Sequence, residues 1–124
     1  MTKQIKRGEI YYTILDGTIG SEQGGIRPCL VVQNDIGNTY SPTVIIIPLS
    51  TKPKNKLPTH VKISKLCGLE SDSIALAEQI RTVDKARVGL YVGAISAKTQ
   101  ADVDNAMAIS VGLEVVAWAK SKLN

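Results

Sequence analysis

Phenylalanine is absent from the sequence, and histidine and tryptophan occur once each, at His60 and Trp118. The two cysteines, Cys29 and Cys67, belong to no Cys-x-x-Cys or Cys/His pattern, so neither a zinc site nor a disulfide framework is predicted. The glycine-rich motifs that bind nucleotides and the Gly-x-Ser-x-Gly motif of serine hydrolases are also missing. We therefore expect no metal ion, no cofactor and a reducing, cytoplasmic location.

Long apolar segments are missing as well. Residues 106–119 form the most apolar stretch, and Glu114 interrupts it. The charged residues at the N-terminus are not followed by an apolar segment. The sequence therefore predicts neither a secretory signal nor a membrane span.

The chain has 124 residues, of which 44% are hydrophobic and 21% are charged. A chain of this size and composition is typical of one compact domain, which we place at residues 1–124. The net charge of +4 favours polyanionic partners such as a nucleic acid or an acidic peptide.

Short runs of apolar and β-branched residues, bounded by glycine, proline and asparagine, predict strands. The predicted strands cover residues 9–15, 29–33, 43–49, 59–63, 73–79 and 87–93. The uninterrupted run at 43–49 predicts a central strand buried on both faces, with Pro48 at its end or at a bulge. Residues 34–38 favour a left-handed turn. The set is typical of a small antiparallel barrel or sandwich.

A helix is predicted to complete the α+β fold. Ser96 is a candidate N-cap, and no proline follows Ala97, so we predict one long helix to the C-terminus. Between residues 106 and 119, apolar side chains surround most of this helix. A second copy of the chain in a homodimer would bury that surface; the alternative is that the strands of the same chain cover it.

Two predicted loops carry candidate functional residues. The glycine-rich loop 16–26 leads into Arg27, and the strand 43–49 leads into Ser50 and the lysine-rich loop 50–58. A guanidinium fork and a hydroxyl can both donate to phosphate oxygens, so Arg27 and Ser50 form a minimal anion site. The alternative is a salt-bridged arginine and a serine that merely ends a strand.

Two residues often used in catalysis are set aside, His60 for a surface or packing role and Cys29 for packing. His60 is the sole histidine and cannot serve as both acid and base in a two-imidazole mechanism. Cys29 lies in an apolar run, where a small core residue is expected.

Four segments, in order along the chain, resemble the MazF/PemK family of toxin endoribonucleases. They are Lys-Arg-Gly-Glu-Ile-Tyr at residues 6–11, Gly-Ser-Glu-Gln-Gly-Gly-Ile-Arg-Pro at 20–28, Val-Val-Gln-Asn-Asp at 31–35 and Leu-Ala-Glu-Gln-Ile-Arg-Thr at 76–82. The resemblance implies a homodimeric, SH3-like or CcdB-like β-barrel with appended helices. It implies metal-free cleavage of single-stranded RNA by the ribose 2′-OH, which leaves a 2′,3′-cyclic phosphate and a 5′-OH. It also implies a MazE-like antitoxin as a partner.

The resemblance assigns roles to particular residues. Arg27 matches the catalytic arginine of the family, and Ser50 stands where the family has a catalytic threonine, with Thr51 as a neighbouring substitute. The residues implied to contact RNA are Ser21, Glu22, Gln23, Thr51, Glu78 and Gln79. The side chains expected to meet backbone phosphates, or simply to be solvated, are Lys52, Lys54 and Lys56.

Two other functions remain as alternatives. A CcdB-like, gyrase-poisoning toxin would share the barrel, and Trp118 is a faint match to a tryptophan near the end of that family. A catalytically inert RNA-binding relative could arise if serine at position 50 does not replace the threonine.

Overall fold

The computed structural model describes residues 4–52 and 56–113. In chain order its elements are β1 (Glu9–Ile14), β2 (Ile26–Val31), α1 (Asp35–Tyr40), β3 (Thr43–Ser50), β4 (His60–Ile63), β5 (Ser73–Leu76), β6 (Arg81–Asp84), β7 (Val88–Ala94) and α2 (Ala97–Ser110). Single 3-10 turns cover Lys65–Cys67, Ala77–Gln79 and Lys85–Arg87. The predicted α+β class, with antiparallel strands followed by a helix, is confirmed.

The central strand β3 organises the sheet. The strands pair antiparallel in the order β4-β5-β3-β2-β1-β7, and β6 also pairs with β3. Along β3, residues 43–46 pair with β6, whereas Leu49 and Ser50 pair with β5. Pro48 lies between these two segments and opposite Cys29 of β2, at a point where a missing N–H is tolerated. The prediction that Pro48 ends the strand or forms a bulge is therefore wrong, because β3 continues to Ser50.

Neighbouring residues of the central strands belong to two different hydrophobic clusters. Leu30 and Ile47 lie in one cluster, and Val31 and Ile46 lie in the other. Because successive side chains of a strand point to opposite faces, β3 is buried on both faces, as predicted. Val103 of α2 belongs to the first cluster, and α2 contacts β4 and the turn Ala77–Gln79. The helix therefore supports two elements that border the candidate site.

Helix α2 begins as predicted but ends early. The Ser96 side chain accepts a hydrogen bond from the backbone N–H of Thr99 at 3.2 Å. The helix ends at Ser110, and Gly112 follows with a left-handed φ of 73°. A glycine in this conformation terminates helices, so the prediction of one continuous helix to the C-terminus is wrong. Trp118 and the rest of that predicted helix lie outside the described residues.

Two further predictions are corrected by the structure. Residues 34–38 do not form a left-handed turn, because Asn34 caps α1 by accepting a hydrogen bond from Gly37 N at 2.8 Å. The strand predicted at 73–79 ends at Leu76, before the 3-10 turn. Strand β6 was not predicted, since its four residues include a charged residue at each end. Within the described parts of the chain, no helix is long and apolar enough to cross a bilayer.

A substitution at Gly93 tests how closely β7 packs on the turn Lys65–Cys67. A Cβ at position 93 would lie 1.6 Å from the carbonyl oxygen of Cys67, so we expect Gly93→Ala to lower the free energy of unfolding by about 2–4 kcal/mol. Gly112→Ala is the control, because a Cβ there meets no atom within 4 Å and only its φ is unfavourable. We expect that control to cost about 1 kcal/mol. Urea unfolding of both variants measures the difference, and equal losses would contradict the packing account.

Candidate active site

Arg27 lies where the hairpin loop between β1 and β2 enters the sheet. The loop is closed by a hydrogen bond from Leu15 N to Gly25 O of 2.8 Å, and Arg27 pairs with Thr13 across the hairpin. On the other side, the register of β2 and β3 sets Cys29 opposite Pro48. Arg27 and Ser50 each lie two residues beyond this pair, on β2 and on β3, and residues two apart on a strand face the same side. The strand pairing therefore carries Arg27 to the end of β3, where its Nη1 donates to Leu49 O at 3.4 Å, next to Ser50 in the chain.

The guanidinium of Arg27 is held by neutral acceptors. Its Nε donates to Gly24 O at 2.9 Å, and its Nη1 donates to Gln23 Oε1 and, at 3.4 Å, to Leu49 O. In residues 4–52 and 56–113, no carboxylate lies within ion-pair distance of Arg27, so the alternative of a salt-bridged arginine is not what the structure shows. Because these acceptors carry no charge, the positive charge of Arg27 remains available to an anion.

A cavity of about 280 Å³ opens beside Arg27. Its wall contains Lys52 and the loop residues Gly20, Ser21, Glu22, Gln23 and Gly24. The loop residues predicted from the sequence therefore do surround the arginine. Two cations face a single carboxylate among the lining residues, so the cavity favours a negatively charged group.

Gln79 holds the glycine-rich loop through two hydrogen bonds to the loop backbone. Its Oε1 accepts a hydrogen bond from Gln23 N at 2.7 Å, and its Nε2 donates to Ser21 O at 3.2 Å. Gln23 in turn contacts Arg27 through its side chain. The structure thus links Gln79 to Arg27 through the loop, and both ends of the Gln79 amide are engaged with the loop backbone.

Glu78 faces a different set of partners. Its Oε1 accepts from Thr59 Oγ1 at 2.8 Å, and its Oε2 lies 3.1 Å from His60 Nε2. Burial raises the pKa of Glu78, but hydrogen bonds from Thr59, the backbone and His60 outweigh burial and leave that pKa below its usual value. Glu78 is not among the described residues that line the Arg27 cavity.

The hydroxyls at the end of β3 differ in exposure. Ser50 is 2% exposed, and its Oγ accepts a hydrogen bond from Lys52 N at 3.3 Å. A hydroxyl that accepts one bond still has a proton to donate. Thr51 is exposed and lines a neighbouring cavity together with Lys52. Ser50 is therefore buried and lines neither of the two cavities, whereas Thr51 lies at the surface.

Two residues set aside from catalysis are buried. His60 has a side chain that is 7% exposed, and Cys29 is fully buried. Burial, which outweighs the opposing effects of Thr13 and Arg27, raises the pKa of the Cys29 thiol to about 12, so the unreactive thiol form dominates at neutral pH. Among the described residues, no group of three or more His, Cys, Asp or Glu side chains could hold a metal ion.

The sequence did not reveal the contacts of Gln79 and His60. The register of β4 and β5 sets His60 opposite Leu76, so His60 and Thr59 lie beside the turn Ala77–Gln79. The Gln79–loop contact joins residues 56 positions apart. The segment 76–82 was noted as a motif, but nothing in its composition shows that one of its two polar residues faces the loop and the other faces β4.

Comparison with known proteins identifies the family. The sequence profile of "PemK-like, MazF-like toxin of type II toxin-antitoxin system" matches residues 6–111. Endoribonuclease EndoA of Bacillus subtilis (strain 168) is 48% identical over 111 residues, which cover 88% of this chain and 96% of that protein.

Solved structures agree with the fold. An endoribonuclease in complex with its cognate antitoxin, from Mycobacterial species, is 27% identical, with a TM-score of 0.71 over 88% of this chain and 96% of that one. MazF (Form-I) from Deinococcus radiodurans has a TM-score of 0.79 over 90% of this chain and 100% of that one. That second structure is 22% identical and supports the fold alone.

The hydrogen bond from Gln23 N to Gln79 tests whether Gln79 holds the loop. We expect Gln79→Ala to raise the hydrogen-exchange rate of the Gln23 amide about fivefold, since one hydrogen bond of about 1 kcal/mol is lost. Gln79→Glu keeps an acceptor for Gln23 N and should retain most of the protection. The Glu22 amide, bonded within the loop to Ile19 O at 3.1 Å, is the internal control. Unchanged exchange at Gln23 in Gln79→Ala would refute the contact.

Proposed function

The chain belongs to the family of PemK-like, MazF-like toxins of type II toxin-antitoxin systems. On that premise we propose that it is an endoribonuclease that cleaves single-stranded RNA, with Arg27 bound to the phosphate at the cleaved bond. The observation that carries this proposal is the guanidinium of Arg27, which is oriented by neutral acceptors and faces a cavity. Its relative EndoA, at 48% identity, is named an endoribonuclease, which supports the reaction class.

The proposed reaction uses the nucleophile that RNA supplies. The ribose 2′-OH attacks the adjacent phosphorus, the bond from phosphorus to the 5′-oxygen breaks, and the products are a 2′,3′-cyclic phosphate and a 5′-OH. One proton leaves the 2′-OH and one joins the 5′-oxygen. The reaction needs no metal ion if a preorganised cation stabilises the charge that develops on the phosphate oxygens.

Arg27 provides that stabilisation. A guanidinium stays protonated in proteins, so we assign Arg27 to the phosphate oxygens and not to removal of the 2′-OH proton. Its contact with Leu49 O is long, at 3.4 Å, and the Gln23 side chain is an uncharged partner. A phosphate, with its full charge, forms stronger hydrogen bonds and can replace Gln23 at Nη1.

A hydroxyl at the end of β3 is proposed as the second phosphate ligand. Ser50 ends β3, next to the Leu49 carbonyl that Arg27 Nη1 contacts, and its proton is available because its Oγ accepts the hydrogen bond from Lys52 N. Its 2% exposure requires the turn at Lys52 to open when RNA binds. Thr51 is exposed beside it, which favours a role in RNA binding.

The loop residues Ser21, Glu22 and Gln23 are proposed to contact the bases. They line the cavity of Arg27, and their side chains offer both hydrogen-bond donors and acceptors. Unpaired bases expose the edges that such groups recognise, so single-stranded RNA is the expected substrate. Gln79 and Glu78 are also proposed to lie near the RNA. Because Gln79 is bonded to the loop and Glu78 to Thr59, we propose that they shape the groove and do not contact the bases directly.

The proposed partners are a MazE-like antitoxin and a second copy of the chain. A related endoribonuclease has been solved with its cognate antitoxin, and the charge of +4 suits an acidic, flexible antitoxin segment. Ile109, Val111 and Leu113 are 41%, 62% and 55% exposed at the end of α2, and such a patch favours a homodimer contact. The proposed location is the cytoplasm, where messenger RNA is found.

An inert RNA-binding relative remains the second candidate, because Ser50 is almost completely buried. It differs from the first in predicting binding without cleavage. The matched family is that of PemK-like and MazF-like toxins, so a gyrase poison is not proposed.

Cleavage of a long single-stranded RNA in EDTA, with the product ends mapped, tests the proposed function. We expect the wild type to cut at a short recurring motif and to leave 5′-OH ends. Arg27→Ala should lower the rate about 100- to 1000-fold, because one preorganised donor of this kind is worth that much. Arg27→Lys should fail to rescue it, since an ammonium lacks the planar fork.

Ser50→Ala and Thr51→Val form a matched pair that separates the two hydroxyls. We expect Ser50→Ala to lower kcat about 100-fold, whereas Thr51→Val should mainly raise KM. The reverse pattern would assign the phosphate contact to Thr51. Full activity of Arg27→Ala would overturn the mechanism, and RNA binding by the wild type without cleavage would establish the inert relative.

A further inference from the structure

The 3-10 turn Ala77–Gln79 connects the start of β4 to the glycine-rich loop. Glu78 faces β4, where its carboxylate accepts a hydrogen bond from Thr59 and lies 3.1 Å from His60 Nε2. Gln79 faces the other way, and both ends of its amide are bonded to the backbone of the loop. Because the two residues are adjacent in a single turn, a displacement of Glu78 also displaces Gln79.

His60 has one polar partner for its buried ring. Its side chain is 7% exposed, and Nε2 lies beside Glu78 Oε2. A carboxylate accepts hydrogen bonds and cannot donate them, so the proton of this contact lies on Nε2. The other ring nitrogen, Nδ1, is buried and has no hydrogen-bond partner among the described residues. A buried polar atom without a partner lowers stability. An apolar side chain would avoid that penalty, so the contact with Glu78 is what the imidazole contributes at this position.

The carboxylate of Glu78 is held from two directions. Its Oε1 accepts a hydrogen bond from Thr59 Oγ1 at 2.8 Å, and its Oε2 faces His60. The backbone adds a third tie at the same point, because Ala77 N donates to Thr59 O at 3.0 Å. Hydrogen bonds to a charged acceptor are stronger than those between neutral groups. The two side-chain contacts therefore restrict Glu78 to one orientation and hold the turn against β4.

From Gln79 the hydrogen bonds continue to the guanidinium. Gln79 Oε1 accepts a bond from Gln23 N at 2.7 Å, and the side chain of Gln23 accepts one from Arg27 Nη1. The loop that carries Gln23 contains four glycines between residues 17 and 25, and ordering glycine costs more conformational entropy than ordering any other residue. The bonds with Gln79 thus support a loop whose own composition favours disorder.

We propose that His60 is a positioning residue, which acts through Glu78 and Gln79 to hold the loop in the conformation that orients Arg27. The inference rests on the proposed ribonuclease function. In this role His60 does not need to touch the RNA. A misplacement of about 1 Å at a reacting group can slow a reaction strongly, so loss of the contact between His60 and Glu78 should lower kcat more than it raises KM.

A purely structural role for His60 makes a different prediction. If the imidazole only packs between β4 and the turn, its replacement changes the free energy of unfolding but not the kcat of the folded enzyme. Because Nδ1 is unsatisfied, an apolar side chain of similar size should leave the fold as stable or make it more stable. Positioning, by contrast, should suffer in the same variant. Stability and activity are therefore expected to separate.

His60→Leu and His60→Gln form a matched pair that tests the polar contact. Leucine has a similar size but no donor, whereas the glutamine amide can place an N–H near the position of Nε2. With single-stranded RNA in EDTA, we expect His60→Leu to lower kcat about tenfold and to change KM less than about twofold. The midpoint of urea unfolding should stay the same or rise. His60→Gln should recover most of the lost kcat. Equal losses in both variants would overturn the proposal.

Thr59→Val gives a second variant that does not alter the buried ring. It removes the other side-chain donor to Glu78 and keeps the shape of the residue. We expect a decrease in kcat about threefold, smaller than for His60→Leu, because Thr59 Oγ1 provides one of two ties on the carboxylate. An unchanged kcat in both Thr59→Val and His60→Leu would contradict a role for Glu78 in orienting Arg27.

A double variant tests whether the effect passes through Gln79. In protein that already carries Gln79→Ala, His60→Leu should lower kcat by less than about twofold, because residues that act in series are not additive. A full tenfold loss in that background would show that His60 acts by another route and would overturn the proposal.

Hydrogen exchange at the Gln23 amide provides a readout that does not depend on cleavage. His60→Leu should raise this exchange rate, as Gln79→Ala does, and should leave the Glu22 amide unchanged, since that amide is bonded within the loop to Ile19 O. If the wild type cleaves RNA but His60→Leu alters neither kcat nor exchange at Gln23, the positioning role is refuted and the ribonuclease stands. If the wild type cleaves no RNA, the proposed function fails, and the exchange rate alone decides whether His60 supports the loop.

Discussion

The register between β2 and β3 is the constraint on which the candidate site depends. It sets Cys29 opposite Pro48 and thereby carries Arg27 to the end of β3, where Leu49 O faces the guanidinium. A slip of one residue would move Arg27 to the other face. The alternation of Val31 and Leu30 between two buried clusters makes such a slip very costly. The packing of the core thus determines where the positive charge lies.

Around Arg27, the site is built from contacts that orient the guanidinium without pairing it to a carboxylate of the described residues. The loop supplies neutral acceptors, and Gln79 holds the loop through its backbone. Glu78 and α2 fix the 3-10 turn that carries Gln79. Glu78 accepts a hydrogen bond from Thr59 and lies 3.1 Å from His60 Nε2, and α2 contacts the turn. The ionised form of Glu78 is stabilised in the fold, so this support weakens as the pH falls through the lowered pKa of Glu78. It is fully present above the pKa that Glu78 has in the unfolded chain.

The sequence predicted the elements that depend on strong local signals. The apolar run of β3, the β-branched and aromatic run before Asp16 and the N-cap at Ser96 are local patterns that each indicate one kind of element. Three elements were not predicted. Residues 34–38 suit both a turn and a helix cap, and Asn34 forms the cap. Strand β6 forms because β3 offers a partner, and Gly112, in a left-handed conformation, follows the end of a helix that apolar composition would extend. In the site, the glycine-rich loop and Arg27 were predictable, because loop and charge are local features. The two bonds of Gln79 and the burial of Ser50 were not, because both depend on which distant strand lies alongside.

The most direct measurement is the NMR signal of the Arg27 Nε–H group while a 2′-O-methyl RNA spanning the mapped cleavage site is added in EDTA. We expect a large shift of this signal, together with a shift of the Gln23 side-chain amide, because a phosphate replaces Gln23 at the guanidinium. The RNA lacks the attacking hydroxyl, so binding is observed without cleavage. An Arg27 signal that stays unchanged while the RNA binds elsewhere would contradict the claim that Arg27 holds the scissile phosphate.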